Sequence, residues 1–347
     1  MTFFRKNDFI LFTLLSALFL PLFKGEIERG FPLPSSPLPL PKGEIERGFT
    51  FFMISATIGI YDGIHLGHLE ILKKLKKEKG KKIVFLLHSS PFKGGLILST
   101  LDERKKILKA FGFEVVVLNI NKIRKMTALN FFEKFIIEKY KVKKLVVGED
   151  FVFGHKRRGT IGYLKKWGGE KSVKIEVVKI KKNSLFSPLF VKGGIQKGDL
   201  TKISTTLIKK LLLKGNVKEA EKLLGIPYKI KGRTVKGRGI AGGLGFPTIN
   251  LSPEKHKILP KGVFLVQISS GGIKRQGLLN SGSAPTFGIK KVFEFYVLGK
   301  FPAEFKRRKV FEISFLKFLR KQKKFKNKNH LIKTLQKNVK FAKSFRG

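Results

Sequence analysis

Apolar positions along the chain change period several times, and each change marks an element. Ile54, Ala56, Ile58 and Ile60 alternate up to Asp62-Gly63, after which Leu69, Leu72 and Leu75 recur at i, i+3 and i+6 among lysines. That pattern predicts a strand, a tight turn and an amphipathic helix. Ile83–Leu87 (IVFLL) is a short continuous apolar run, as expected of a central parallel strand. Asp102–Phe111 then reads as helix, Glu114–Leu118 as strand, Ala128–Tyr140 as helix, and Lys144–Val147 and Val173–Val178 as strands. Such alternation predicts a Rossmann-like parallel sheet with helices on both faces and ligands beyond the carboxyl ends of its strands. A helix is expected after Ile203 and another over Asn216–Leu224, closed by Gly225. From Pro227 the texture changes to short β-rich runs separated by glycine: YKIKGRTV, GVFLVQI, KRQGLLN and VFEFYVL. These predict a small antiparallel barrel, and Leu331–Phe345 forms a basic amphipathic helix behind it. The expected organisation is an α/β domain over 53–212 and a β-barrel domain with a terminal helix over 213–347.

The first 52 residues fit neither domain. Phe9–Phe23 is apolar and follows Arg5 and Lys6, but it is short for a membrane span and no A-x-A cleavage site follows. KGEIERGF occurs at Lys24–Phe31 and again at Lys42–Phe49, and related phrases return at Ser90–Gly95 and Ser187–Gly194. Eight residues at irregular spacing cannot stack as a solenoid. We read them as translated fragments of a dispersed repeat lodged in surface segments, with Met53 nearer the ancestral start. At 347 residues the chain can hold two full cores. It has no cysteine, which excludes disulfides and thiolate chemistry and suits a cytoplasmic setting. The formal charge of +49 points towards polyanions, yet the lysines are spread along the whole chain and no nucleic-acid-binding motif accompanies them. Neither a specific nucleic acid nor a membrane is expected as a partner.

The candidate chemistry lies where elements meet. In the first turn, Gly63 and Gly67 allow close backbone approach, and His65 and His68 stand at a helix start, where N–H groups and the helix dipole attract phosphate. Imidazoles there can donate to charge growing on a phosphoryl oxygen. Ser204, Thr205 and Thr206 form a hydroxyl cluster at another helix start, suited to capping and to phosphate oxygens. GEDFVFGHKRRG offers the acid Asp150, the stacking surfaces Phe151 and Phe153, and the cation Arg157. His88 follows the second strand. In GLGFPTINL, Thr248 and Asn250 present oxygens two residues apart, on one side if extended, and hard oxygens of this kind suit Mg²⁺ shared with ATP phosphates. Glu294, amid aromatics in a strand, is either an exposed-face residue or a general base.

The first turn resembles the G-x-F-D-G-x-H-x-G-H motif of nucleotidyltransferases, matched at Gly59, Asp62, Gly63, His65, Gly67 and His68, with Tyr61 in place of Phe. Over Ile54–Phe345 the chain is similar to the prokaryotic bifunctional riboflavin kinase/FAD synthetase family. Ser204, Thr205, Thr206 and Lys209 stand where the family has I-S-S-T-x-x-R, so Thr205 replaces Ser and Lys209 replaces Arg. Asp150, Phe151, Phe153 and Arg157 match the family's D-F-x-F-G-x-x-R. Gly245, Phe246, Pro247, Thr248 and Asn250 match its L-G-F-P-T-x-N phrase, although Gly242 stands where the family has Arg. Asn280 and Thr286 match G-x-x-N-I-G-x-x-P-T-F, Glu294 matches the acid of V-E-x-H-L-L, and Arg320 is kept while Gln322 replaces an acid.

The resemblance implies an ATP site around the first turn and the hydroxyl cluster, and a flavin and nucleotide site at 150–157. It also implies a kinase site with Glu294 as base and Thr248 and Asn250 as Mg²⁺ ligands. Riboflavin, FMN and ATP are then the partners, with FMN and FAD as products. Two other readings remain open at this stage. A different small-molecule adenylyltransferase would use the same turn, and a nucleic-acid-binding protein could have grown from a decayed enzyme.

Overall fold

The computed structural model describes residues 53–89, 95–180, 203–237, 242–284, 289–299, 303–306 and 308–345. The amino-terminal extension, the insertion at 184–200 and Thr286 lie outside them. The chain forms two compact units. One takes in the described residues up to Gly59 together with Ile71–Leu86 and Lys106–Val178; the other comprises Ile60–Glu70, Leu87–Lys105 and the chain from Lys179 onward.

The first unit is built on a five-stranded sheet of order β3-β2-β1-β4-β5. β1 (Ile54–Gly59) pairs in parallel with β2 (Lys81–His88) on one side and with β4 (Val142–Gly148) on the other, and β5 (Lys174–Val178) extends β4 in parallel. β3 (Glu114–Asn119) lies outside β2. The continuous apolar runs sit where both faces are covered: Ile83–Leu86 and Leu145–Val147 are all buried. Strand order reverses at β1, so the chain leaves β1 at the topological switch point of the sheet, where open α/β sheets place their ligands.

Helix α1 (Leu66–Lys76) follows β1, with Leu69, Leu72 and Leu75 buried as the spacing predicts. α2 is Leu101–Ala110. The expected helix over Ala128–Tyr140 departs from regular form: Ala128–Asn130 is α-helical and Phe131–Lys139 is π-helical. The wider turn accompanies a dense aromatic seat. Phe131 stacks on Phe135, Phe135 and Tyr140 both pack on Phe85, and Phe132 lies beside Trp167. α3 (Ile161–Glu170) precedes β5.

In the second unit, α4 (Thr205–Leu213) and α5 (Val217–Leu224) precede a closed barrel of order β10-β7-β6-β11-β8-β9. α5 ends at Gly225 with φ 72°, the left-handed cap expected from sequence. The strands are β6 (Lys229–Val235), β7 (Thr248–Pro253), β8 (Gly262–Ser270), β9 (Ile273–Ala284), β10 (Ile289–Val297) and β11 (Val310–Arg320). Every pairing in it is antiparallel. One hydrophobic core joins the barrel interior (Ile230, Phe264, Leu279, Phe295, Phe311) to Leu207, Leu211 and Leu224 of α4 and α5. The terminal helix α6 (Lys328–Ser344) lays Val339 and Ala342 on the outer barrel residues Leu265, Leu278 and Tyr296.

Candidate active sites

The turn after β1 is fixed by polar contacts from far along the chain. Asp62 is buried, and its Oδ1 accepts from the backbone N–H groups of Leu98 and Ser99, both at 2.9 Å. The Gly63 N–H donates to Ser99 Oγ at 2.7 Å. Gly63 has φ +87°, and a Cβ there would lie 2.8 Å from Leu98 Cδ1, so both backbone and space demand glycine. Tyr61 and Ile64 also have positive φ, at 51° and 43°. Non-glycine residues adopt that region only where their surroundings impose it, and functional turns are where this concentrates.

This turn holds the histidine pair. The rings of His65 and His68 stack with centroids 3.8 Å apart, and Tyr61 meets His68 edge-on at 5.0 Å. The His68 N–H lies 3.4 Å from His65 Nδ1, an N-cap contact at the start of α1. Burial, with the neighbouring His65 charge as a second cause, holds His68 well below the ordinary imidazole pKa. At neutral pH it is therefore an uncharged ring with a single N–H to donate. Its Nδ1 is buried and, among the described residues, has no hydrogen-bond partner.

The hydroxyl cluster divides its work. Ser204 caps α4 by accepting from the Leu207 N–H at 3.2 Å, Thr205 Oγ1 donates to the Asp62 carbonyl at 3.3 Å, and Thr206 is exposed. Lys209 Nζ lies 3.1 Å from Asp62 Oδ2 and also donates to the Leu96 carbonyl. The cation matched to the family's arginine thus sits on the carboxylate that organises the turn. His88, at the end of β2, is held below its ordinary pKa by burial and then by Arg104.

In the first unit, Phe153 and Gly159 form a two-way backbone bridge and the His155 N–H donates to the Met126 carbonyl. Phe151 and Phe153 stack at 5.5 Å and are half-buried, whereas Asp150 and Arg157 are exposed. Arg157 has φ 58°.

On the barrel, strand register assembles the remaining residues. Glu294 of β10 stands directly opposite Asn250 of β7 and Asn280 of β9, and Tyr296 stands opposite Thr248. Directly opposed residues share a face. Phe293, Phe295 and Val297 point to the core, so Glu294, Tyr296, Thr248, Asn250 and Asn280 share the outer face. Glu294 is half-buried there, and burial raises its carboxyl above the ordinary glutamate pKa. The residue is outward-facing and yet partly withdrawn from water.

Gln322 Nε2 donates to Asn280 Oδ1 at 2.8 Å. The Arg320 guanidinium lies over the Phe325 ring, its centre 5.4 Å from the centroid, and Arg320 Nε is buried with no partner among the described residues. Phe246 packs edge-on against Tyr296 at 5.7 Å, Gly245 has φ +84° and Pro247 is exposed. A Cβ on Gly242 would meet nothing within 4 Å.

Residues 53–185 match the FAD synthetase family model and 224–346 match the riboflavin kinase family model. A bifunctional riboflavin kinase/FMN adenylyltransferase of Buchnera aphidicola subsp. Schizaphis graminum is 31% identical over 308 residues, 84% of this chain and 93% of that one. The chain belongs to the bifunctional riboflavin kinase/FMN adenylyltransferase family. Its Escherichia coli K12 member is 33% identical over 257 residues, 70% of this chain and 77% of that one. A Streptococcus pneumoniae structure titled a macrolide-efflux protein aligns over 86% of this chain and 96% of its own at 25% identity and a TM-score of 0.67.

The histidine turn lies in the FAD synthetase match and the Glu294 row in the riboflavin kinase match, while Ser204 to Lys209 fall between the two. Four residues at the turn escape sequence reading: Ser99, Glu103, Arg104 and Lys257. Arg104 is buried and donates to the Ile60 carbonyl at 2.6 Å. The only local trace of this group is Thr100-x-x-Glu103, a capping box at the start of α2.

Proposed function

We propose that the chain carries out both reactions named for its relatives, in sequence and at separate sites. On the outer barrel face, the riboflavin 5′-hydroxyl attacks the γ-phosphorus of ATP. The new O–P bond forms as the bond to the β-phosphate oxygen breaks; ADP leaves and Glu294 accepts the hydroxyl proton. A carboxylate with a raised pKa is a stronger base, and Asn250 and Asn280 beside it offer amides to orient substrate. Thr248 and Asn250 supply two neutral hard oxygens on one strand face. That is too few to hold a cation alone but fits Mg²⁺ held jointly with ATP phosphates. Bound there, Mg²⁺ would neutralise phosphate charge.

FMN then enters the second reaction. A phosphate oxygen of FMN attacks the α-phosphorus of ATP, and pyrophosphate leaves with the electrons of the broken bond. No proton need be taken from the ionised nucleophile. His68, uncharged and walled in by His65 and Tyr61, donates to the phosphoryl oxygen as its charge grows. Phe151 and Phe153 offer a stacking surface for the flavin ring, and Arg157 a cation for phosphate.

The observation that carries this reading is the Asn250–Glu294–Asn280 row on the barrel, in one chain with a stacked histidine pair in the turn after β1. Among the described residues, no helix is long and apolar enough to cross a membrane. ATP chemistry without cysteine suits the cytoplasm as the site of action. Incubating the chain with riboflavin, ATP and Mg²⁺ and separating the flavins should show FMN first and FAD after it. Appearance of FMN alone would leave only the kinase half of the reading standing.

A further inference from the structure

Residues 97–104 grip the histidine turn on one side and a barrel connection on the other. Towards the turn, Leu98 and Ser99 bind Asp62 and Gly63, and Arg104 binds the Ile60 carbonyl. Towards the barrel, the Ile97 N–H donates to the His256 carbonyl at 2.8 Å and the Ile258 N–H donates to the Ile97 carbonyl at 3.0 Å. Between these two bonds stands Lys257. It is 4% exposed, its ammonium is bonded to Glu103 and lies 3.6 Å from Glu254, and it sits 5.6 Å from the centre of the Tyr228 ring. Tyr228 in turn donates to the Ile258 carbonyl at 2.8 Å. Glu103 uses its other oxygen to accept from the Thr100 N–H at 2.8 Å, which closes the loop back to Ser99.

We propose that Lys257, on the connection between β7 and β8 of the kinase barrel, is a positioning residue for adenylyl transfer. Through Glu103 and residues 97–99 it sets the Asp62 turn that carries His65 and His68. This rests on the functional reading above. A buried ammonium holds its carboxylates close, because an unpaired charge in that place is costly, and of the two beside Lys257 Glu103 is the nearer, with Glu254 at 3.6 Å. The position of Glu103, and with it the first turn of α2, is therefore dictated from the barrel. Donors aimed at a phosphoryl oxygen lose most of their effect when displaced by about 1 Å, so a contact this far from the chemistry reaches the rate. The barrel thus completes the adenylyltransferase site without touching its substrates.

The test uses the full chain and four variants: Lys257→Met, Glu103→Gln, the double variant and Lys257→Arg. Supplied FMN and ATP report adenylylation, riboflavin and ATP report phosphorylation, and hydrogen exchange of peptides over 60–68 reports the turn. Each single variant is expected to lower the adenylylation kcat about tenfold with KM for FMN within about twofold, the pattern of an interaction felt in the transition state. The double variant should be no worse than the poorer single one, since both break one contact. Lys257→Arg should restore most of the rate. Exchange over 60–68 should quicken in Lys257→Met while phosphorylation stays within about twofold of the parent.

The proposal is overturned if Glu103→Gln adenylylates at the parent rate, if the two activities fall in parallel across the series, or if exchange over 60–68 does not change. A parent chain that makes no FAD from FMN sinks the functional reading instead. The exchange arm still decides whether Lys257 sets the turn.

Discussion

Burial acts on both candidate sites, and it moves their key groups in opposite directions. In the turn after β1 it lowers the pKa of His68; on the barrel face it raises that of Glu294. The cause is the same, because low polarity disfavours whichever form is charged. One site thereby gains an uncharged donor and the other a stronger base. They differ also in how they are held. The turn is clamped by side chains and N–H groups from distant parts of the chain, whereas the Glu294 row is set by strand register, with Gln322 bonded to Asn280 at its edge. Damage should therefore spread at the turn and stay local on the barrel.

The largest expected effect is from Glu294→Gln. The amide keeps the shape but cannot take the proton, so riboflavin phosphorylation should fall by about 10²–10⁴ while adenylylation of supplied FMN is untouched. Separate assays with riboflavin and with FMN check this. An unchanged kinase turnover would reduce Glu294 to a strand residue. Thermal unfolding at neutral pH sharpens the comparison. A raised carboxyl pKa contributes stability that is present below the unfolded-state value and lost as pH rises through the folded one. Removing the charge should accordingly leave the midpoint equal or higher, and a lower midpoint would contradict the burial effect.

His68→Ala comes next, with an expected loss of about 10²–10³ in FAD formation, the usual cost of removing one transition-state donor. FMN formation should hold. If both activities drop together, the two sites are not independent.

Much of this contrast was legible in the sequence, because the contributing signals are local. The run from Ile54, the Asp62-Gly63 turn and the spacing of Leu69, Leu72 and Leu75 return as β1, turn and α1, although Ile60, the last of the alternating residues, lies beyond β1 and is exposed. Thr248 and Asn250 lie on one strand, and their shared face follows from a period of two. The clamp was not legible. Asp62 meets Ser99 across 37 positions and Lys209 through a separate helix, and Glu103 meets Lys257 across 154. No window of sequence carries such pairings. The π-helical segment was hidden for a related reason, since its aromatic seat depends on Phe85 from another strand.

The two pH profiles should diverge. Phosphorylation needs ionised Glu294, so its rate should fall about tenfold per pH unit on the acid side, from a point above the ordinary glutamate pKa. Adenylylation needs uncharged His68, whose lowered pKa keeps it so through the ordinary histidine range. Its rate should stay level from about pH 8 to about pH 6. Measuring kcat for each reaction over one buffer series checks both. A histidine-like step near neutrality in FAD formation would mean that His68 is not held in the uncharged form.

The smallest effect tests how finely the barrel row is placed. Gly237 follows β6, and a Cβ built on it would overlap the Asn250 side-chain amide. Alanine at this position must push that amide aside or move the strand end, and swinging a short side chain costs less than shifting backbone. Gly237→Ala should therefore displace Asn250 and leave Thr248 and Glu294 in register. The expected result is a rise of about threefold to tenfold in KM for ATP in the kinase reaction, with kcat reduced less and adenylylation unchanged, as for lost ground-state binding. Titrating Mg²⁺ at fixed ATP separates the causes: if Asn250 helps to hold the cation, the variant needs more Mg²⁺ to reach half its maximal rate. A variant that loses kcat without any change in ATP or Mg²⁺ dependence would show that Asn250 orients riboflavin and takes no part in holding the nucleotide.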